Sequence, residues 1–186
     1  MTLPRERPGH AAPADLIERR SELAQAVAAG YWRTDPEPEL LEIGGVRCLR
    51  FAPLATSRGV VLHIHGGAFR IGRPEVIAPF AAALAARCAV TVVCPAYRLA
   101  PEHPFPAGLR DCRAALAATA PGPVILSGYS AGGGLAASLA AEASAVSPGS
   151  GLSSRLTGWV AKGMPSEVRI SARRGADGCA PRLVTE

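Results

Sequence analysis

The segment VILSGYSAGGGLAASLA, Val124 to Ala140, places one serine, Ser130, between an apolar run and an alanine-rich run. Apolar residues followed by the pattern G-x-S-x-G, Gly128 to Gly132, predict a strand, a sharp turn and a helix. A serine on such a turn adopts strained backbone angles, and the flanking glycines relieve the crowding. The pattern therefore predicts an exposed hydroxyl beside a helix N-terminus, whose free N–H groups can stabilise an oxyanion. The alternative interpretation is a glycine-rich turn with a serine N-cap.

Strands and helices alternate along the chain before this segment. The spacing of apolar residues predicts an amphipathic helix over residues 14–29, and the polar, proline-broken residues 34–40 predict a linker. The further predicted elements are an exposed strand at 45–51, a central strand at 59–65, a helix at 75–87, a strand at 89–94, a helix at 107–118 and a strand at 124–127. The alternation predicts an α/β fold with a mostly parallel sheet and helices on both of its faces.

Two further motifs follow predicted strands. HGGAF, His65 to Phe69, supplies two glycines that can bring backbone N–H groups close to a ligand, although a plain tight turn would also explain them. YRLAPEHPFPAGLRD, Tyr97 to Asp111, follows the next strand. Because ligands bind beyond the carboxyl ends of parallel strands, these loops and the serine turn are where a functional site is expected.

Together, HGGAF, YRLAPEHPFPA and GYSAGG resemble the hormone-sensitive-lipase-like carboxylesterases of the α/β-hydrolase fold. The resemblance covers roughly residues 59–145. It implies that Ser130 is the nucleophile and that the backbone N–H groups of Gly66, Gly67 and Ala131 form the oxyanion hole. The chain departs from the family pattern at Tyr129, where many members carry Asp.

A second departure is Ala68, which replaces the third glycine of the commoner HGGG motif. In the family, the loop after Tyr97 packs beneath the oxyanion loop, so the resemblance implies that Tyr97, Arg98 and Glu102 are structural supports. His65 would orient the oxyanion loop. The predicted domains are a cap-like helix and linker at 1–40, a hydrolase core at 41–146 and an atypical segment at 147–186.

The triad histidine and acid expected after the nucleophile are missing from the sequence. No histidine follows Ser130, because the four histidines are His10, His63, His65 and His103. The one downstream aspartate, Asp177, matches no family motif. His65 is considered as a substitute base, whereas His63 is expected to be buried and hydrogen-bonded and His103 to be structural. Activity is therefore expected to be impaired.

Residues 147–186 differ from the preceding pattern, with six serines and six glycines and no clear alternation of strands and helices. The fold is therefore expected to be incomplete at its C-terminal end, as in a truncated or out-of-frame product. A sheet that ends after the nucleophile strand would expose an apolar edge. Self-association through that edge is expected.

Composition limits the other classes of function. The formal net charge is +5, and residues 147–186 contribute +3 of it, so the sequence indicates no basic nucleic-acid surface. The five cysteines lack metal-ligand or disulfide spacing and are expected to be reduced and packed. No metal or cofactor is expected.

Glycines and prolines interrupt the uncharged stretch 114–141, so no membrane span is expected. The N-terminal sequence lacks the pattern of a secretory signal, and a cytoplasmic location is therefore expected.

The favoured function is hydrolysis of a small carboxylic ester through an acyl-enzyme intermediate on Ser130. Three alternatives remain open at this stage. They are an amide hydrolase such as a formamidase, a non-catalytic ligand-binding module, and an inert fragment.

Overall fold

A computed structural model describes residues 3–119 and 124–146 of the chain. The helices are α1 (Ala14–Ala28), α2 (Ala78–Cys88), α3 (Ala107–Ala118) and α4 (Ala131–Val146), with a 3₁₀ turn at Pro74–Ile77. The strands are β1 (Glu39–Ile43), β2 (Val46–Phe51), β3 (Val60–Ile64), β4 (Thr91–Pro95) and β5 (Val124–Gly128). The predictions made for residues 147–186, including Asp177 and Cys179, lie outside the described residues.

The five strands form one sheet in the order β1-β2-β4-β3-β5. Strand β3 pairs in parallel with both β4 and β5, so that Leu62 stands opposite Val93 on one side and Leu126 on the other. The predicted parallel strands and their connecting helices are therefore confirmed. Strand β2 pairs antiparallel with β4 and with β1.

The hairpin of β1 and β2 corrects the predicted linker over residues 34–40, because the chain already enters β1 at Glu39. Gly44 and Gly45 form the connection with φ angles of 61° and 75°. Two consecutive positive φ angles are typical of a type I′ hairpin turn, which glycine adopts without steric cost. The prolines before Glu39 obscured the strand in the sequence pattern.

Two apolar clusters cover the two faces of the sheet. One contains Leu62 and Ile64 together with residues of α3 and α4, and the other contains Val61 and Val92 together with residues of α2. Consecutive residues of a strand point to opposite faces, which explains how the neighbours Val61 and Leu62 enter different clusters. The prediction that helices cover both faces is confirmed.

Strand β2 was predicted to be exposed, and this was wrong. Cys48, Leu49 and Phe51 are buried, because β2 lies between β1 and β4 and both of its faces contact apolar clusters. The alternation in its sequence reflected the exposed Arg47 and the half-buried Arg50. Neighbouring strands, which local sequence does not specify, set the burial of this strand.

Three smaller predictions also need correction. The helix predicted over 75–87 begins as the 3₁₀ turn, and the strand predicted from residue 89 begins at Thr91, since Ala89 is left-handed with a φ of 51°. Cys88 is exposed, whereas Cys48, Cys94 and Cys112 are buried free thiols.

Within the described ranges, every helix is too short or too polar to cross a bilayer.

Candidate active site

Ser130 lies in a tight turn between β5 and α4. Its φ angle is 52°, in the left-handed region that residues with a Cβ atom seldom adopt, at a cost of about 1–3 kcal/mol. The N–H of Gly132 donates to the carbonyl of Tyr129 at 3.0 Å, and the N–H of Gly134 donates to the carbonyl of Ser130 at 3.2 Å. The side chain of Ser130 is exposed beyond the carboxyl end of the sheet.

Glycines allow this turn to pack closely. A Cβ atom on Gly128 would lie 2.5 Å from the carbonyl oxygen of Gly132, on the other side of the turn. A Cβ atom on Gly132 would overlap the carbonyl oxygen of Ile64, the last residue of β3. The G-x-S-x-G spacing thus serves two contacts, one within the turn and one with the neighbouring strand.

The loop after β3 lies directly against the serine turn. A Cβ atom on Gly66 would lie 2.9 Å from the carbonyl oxygen of Tyr129. Gly67 has a φ of 122°, and its carbonyl accepts hydrogen bonds from the N–H groups of Arg70 and Ile71 at 3.0 and 2.9 Å. The glycine pair is therefore held beside the residue that precedes Ser130.

Three backbone N–H groups near this junction are free to bind a ligand. Within residues 3–119 and 124–146, the N–H groups of Gly66, Gly67 and Ala131 donate no hydrogen bond. Ala131 is the first residue of α4, where N–H groups have no acceptor within the helix. Free N–H groups at a helix N-terminus favour the binding of negative charge.

His65 is oriented by its own loop. It is almost fully buried, and its Nδ1–H donates to the carbonyl of Gly66 at 2.8 Å. Its ring stacks on that of Tyr97, whose hydroxyl donates to the carbonyl of His65 at 3.0 Å. Burial lowers the pKa of His65, although the hydrogen bond to Gly66 and the charge of Glu75 act in the opposite direction.

The loop after β4 contacts the loop after β3 and is braced from elsewhere. The N–H of Ala100 donates to the carbonyl of Phe69 at 2.9 Å. Arg98 forms an ion pair with Asp111 of α3, in which its Nη2 and Nε donate to Oδ1 of Asp111 at 2.8 and 3.0 Å. Glu102 pairs with Arg20 of α1 at 2.6 Å. The motif after β4 indicated Glu102, but nothing in the sequence indicated Arg20, because no local pattern links residues so far apart in the chain.

No histidine reaches the serine in the part of the chain that the structure describes. Nδ1 of His63 lies 2.9 Å from Oγ of Ser127, and burial together with the nearby His65 lowers the pKa of His63 to about 4. This confirms that His63 is a buried, hydrogen-bonded histidine. His10 and His103 are exposed. Ser130 Oγ makes no hydrogen bond to any residue within the described ranges.

Ser130 is exposed, and two cavities lie elsewhere in the described chain. A cavity of about 230 Å³ lies between the end of α1 and β2, and one of about 180 Å³ lies beside Arg20 and Gly72. Neither is lined by Ser130. Within the same residues, His, Cys, Asp and Glu side chains form no cluster of three that could hold a metal ion.

A comparison with known protein families gives a match that fits this geometry. A family described as having the α/β hydrolase fold matches residues 61–162, which is more than half of the chain. The chain belongs to this α/β-hydrolase family. The resemblance to hormone-sensitive-lipase-like carboxylesterases, predicted from the three motifs, is confirmed by the relatives described next.

Relatives of this α/β hydrolase include esterases and lipases. Lipase 2 of Moraxella sp. (strain TA144) is 38% identical over 97 residues, which are 47% of this chain and 22% of the relative. Carboxylesterase NlhH of Mycobacterium tuberculosis is 39% identical over 90 residues, 44% of this chain and 28% of the relative. The chain thus spans less than a third of these curated relatives.

The fold agrees with solved structures of the same class. The crystal structure of a hormone-sensitive lipase from a metagenome library matches with a TM-score of 0.65 and 32% identity. The match covers 75% of this chain and 49% of that one. The α/β-hydrolase assignment therefore rests on both sequence and architecture.

Proposed function

We propose that this chain is a serine carboxylic-ester hydrolase in which Ser130 is the nucleophile. The observation that carries the proposal is the left-handed turn at Ser130, packed against the glycine pair of the loop after β3. A strained, positive φ angle at an exposed residue other than glycine costs stability and is typical of a functional site. The names of the relatives, lipase and carboxylesterase, support an ester as the substrate.

In the proposed reaction, Oγ of Ser130 attacks the carbonyl carbon of the ester and loses its proton to a solvent water molecule. The carbonyl oxygen becomes an oxyanion, which the free N–H groups of Gly66, Gly67 and Ala131 stabilise. The intermediate collapses by breaking the bond to the alcohol oxygen, which takes up a proton and leaves. Water then attacks the acyl-serine and releases the carboxylic acid.

Proton transfer is the slow part of this mechanism. Serine is a weak nucleophile until a base takes its proton, and none of the histidines in the described chain hydrogen-bonds to Ser130. We therefore propose that activity is impaired. In a well-studied serine hydrolase, loss of the triad histidine lowers kcat by about 10⁶, leaving about 10³ to 10⁴ over water.

The test compares Ser130→Ala with the matched variant Ser138→Ala. Ser138 is an exposed serine on α4, and its hydroxyl contacts only the carbonyl of Gly134. We expect the full chain and Ser138→Ala to hydrolyse p-nitrophenyl butyrate slowly and at equal rates, with Ser130→Ala losing the serine-dependent part of that rate and keeping only what binding and the oxyanion donors supply. An undiminished rate in Ser130→Ala would refute the assignment of the nucleophile.

A fluorophosphonate probe gives a second measurement. If Ser130 lacks an efficient base, peptide mass spectrometry should find labelling confined to Ser130 and completed over hours rather than seconds. Rapid and complete labelling would refute the proposal of impaired activity, while leaving Ser130 as the nucleophile.

A further inference from the structure

Arg20 connects helix α1 to both loops that follow the central parallel strands. Its Nε donates to the carbonyl of Arg70 at 2.8 Å, and its Nη2 donates to the carbonyl of Ala100 at 2.7 Å. The two Nη atoms also donate to the carboxylate of Glu102, at 2.6 and 3.2 Å. One side chain therefore binds three residues of two separate loops. The guanidinium suits this task, because it presents five donors in a fixed plane.

The first of these bonds acts close to the glycine pair. The N–H of Arg70 donates to the carbonyl of Gly67, so Arg70 closes the turn that begins at that glycine. The bond from Arg20 to the Arg70 carbonyl fixes the far end of the same turn. Any outward movement of Arg70 would carry Gly67 with it and displace its free N–H.

The other two contacts fix the supporting loop. Ala100 itself donates to the carbonyl of Phe69, and Arg20 binds the carbonyl of the same Ala100. The hydrogen bonds from Arg20 lower the pKa of Glu102, so this carboxylate remains ionised and paired at neutral pH. The Arg20 side chain is only 24% exposed, which limits competition from water. The three acceptors thus surround the guanidinium from both loops.

We propose that Arg20 is a positioning residue for the oxyanion hole, acting through Arg70 and the turn at Gly67. Helix α1 then fixes the geometry of the reaction without contacting the substrate through this residue. This inference rests on the proposed function, because a positioned N–H at Gly67 matters for catalysis only if an oxyanion forms there. The contact itself can be measured without any turnover.

The first experiment measures amide hydrogen exchange by mass spectrometry in the full chain. Arg20→Ala should increase exchange about tenfold in peptides covering residues 66–72 and 98–103. Without the Arg20 side chain, these loops can open without first breaking its hydrogen bonds. Arg19→Ala is the matched control, since Arg19 is exposed on the same helix and its side chain makes no hydrogen bond or ion pair within the described residues. Unchanged exchange in Arg20→Ala would overturn the inference.

Arg20→Lys separates charge from geometry. A lysine retains the attraction to Glu102, but a single ammonium cannot reproduce the planar fork toward two loops. We expect exchange in residues 66–72 to stay fast in Arg20→Lys. Full recovery of protection by lysine would show that charge alone suffices and would overturn the proposed geometry. If Arg20→Ala does not fold, the exchange rates of Arg20→Lys test the proposal in its place.

Hydrolysis of p-nitrophenyl butyrate distinguishes positioning from general stability. Misplaced oxyanion donors should lower kcat by about 10- to 100-fold in Arg20→Ala, with KM changed less than twofold and rates normalised to fluorophosphonate-reactive serine. A merely structural role would reduce the amount of reactive serine and leave the normalised kcat intact, which would overturn the inference. If hydrolysis is instead undiminished in Ser130→Ala, the proposed function fails, and the exchange data still decide whether Arg20 holds the loop.

Discussion

The ring of His65 stacks on the ring of Tyr97, with centroids 4.3 Å apart and 15° between their planes. The same tyrosine donates its hydroxyl to the carbonyl of His65 at 3.0 Å. One side chain thus holds both the ring and the backbone of the residue that begins the glycine loop. Because Tyr97 follows β4, strand β4 supplies a support for the loop that follows β3.

Tyr97→Phe should destabilise the protein by about 1–2 kcal/mol, because it removes a hydrogen bond from a buried carbonyl while retaining the stacked ring. Urea unfolding followed by circular dichroism measures the change. Tyr31→Phe is the control, since Tyr31 is 78% exposed. Equal stability of the Tyr97 and Tyr31 variants would mean that the buried hydrogen bond contributes nothing.

Gly132→Ala should destabilise the protein by several kcal/mol, at roughly the upper end of single substitutions. The new Cβ atom would overlap the carbonyl oxygen of Ile64, a backbone atom that cannot rotate away. Gly133→Ala is the matched control one residue along α4, where the nearest neighbour would lie 3.4 Å from the Cβ atom. There the higher helix propensity of alanine should stabilise by up to about 1 kcal/mol. Thermal unfolding of both variants tests the contrast, and similar midpoints would contradict it.

Ala68→Gly should stabilise the protein by about 1 kcal/mol, because Ala68 has a φ of 51° and glycine adopts this angle without strain. The result would be opposite to the usual cost of glycine. Ala83→Gly, in the exposed middle of α2, should destabilise by about 0.5–1 kcal/mol and supplies the comparison. Chemical denaturation that finds both variants destabilised would show that the loop is not strained at Ala68.

Stability should fall as the pH drops from about 6.5 to about 4, because of His63. Burial is the main cause that lowers the pKa of His63 to about 4, and the nearby His65 adds to it. Between pH 4 and 6.5, the unfolded chain therefore binds a proton at this histidine and the folded chain does not. Stability therefore rises with pH across this window, and the full difference is on the order of 3 kcal/mol.

The variant His63→Gln tests this contribution. Its denaturation midpoint should depend less on pH between 6.5 and 4 than that of the original chain, with a remainder from His65, whose pKa burial also lowers. Identical pH dependence in the two proteins would exclude His63 as the source.

Much of the site was predictable because its signals are local. The pattern from Gly128 to Gly132 predicted the strand, turn and helix that place Ser130 at the carboxyl end of β5, and the structure has them at those positions. HGGAF predicted a close backbone approach, which Gly66 makes to Tyr129. Steric limits on φ and ψ act within a few residues, so such patterns can be recognised from the sequence.

The rest required contacts between distant parts of the chain. Strand β2 is buried because β4, more than forty residues later, pairs with it, and this corrected the prediction of an exposed strand. The bonds from Arg20 join residues 50 to 82 positions apart, and nothing in the sequence near Arg20 indicates them.

By itself, the sequence determined the alternation of strands and helices from β3 to α4 and the strained turn at Ser130, and it shows that no histidine lies between residues 131 and 186. Only the tertiary structure decided which loops meet, that Tyr97 holds His65, and that α1 is tied to the glycine loop through Arg20. The physical reason is range. Backbone sterics and apolar periodicity act between neighbours in the sequence, whereas burial and side-chain hydrogen bonds depend on which distant segments the folded sheet brings together.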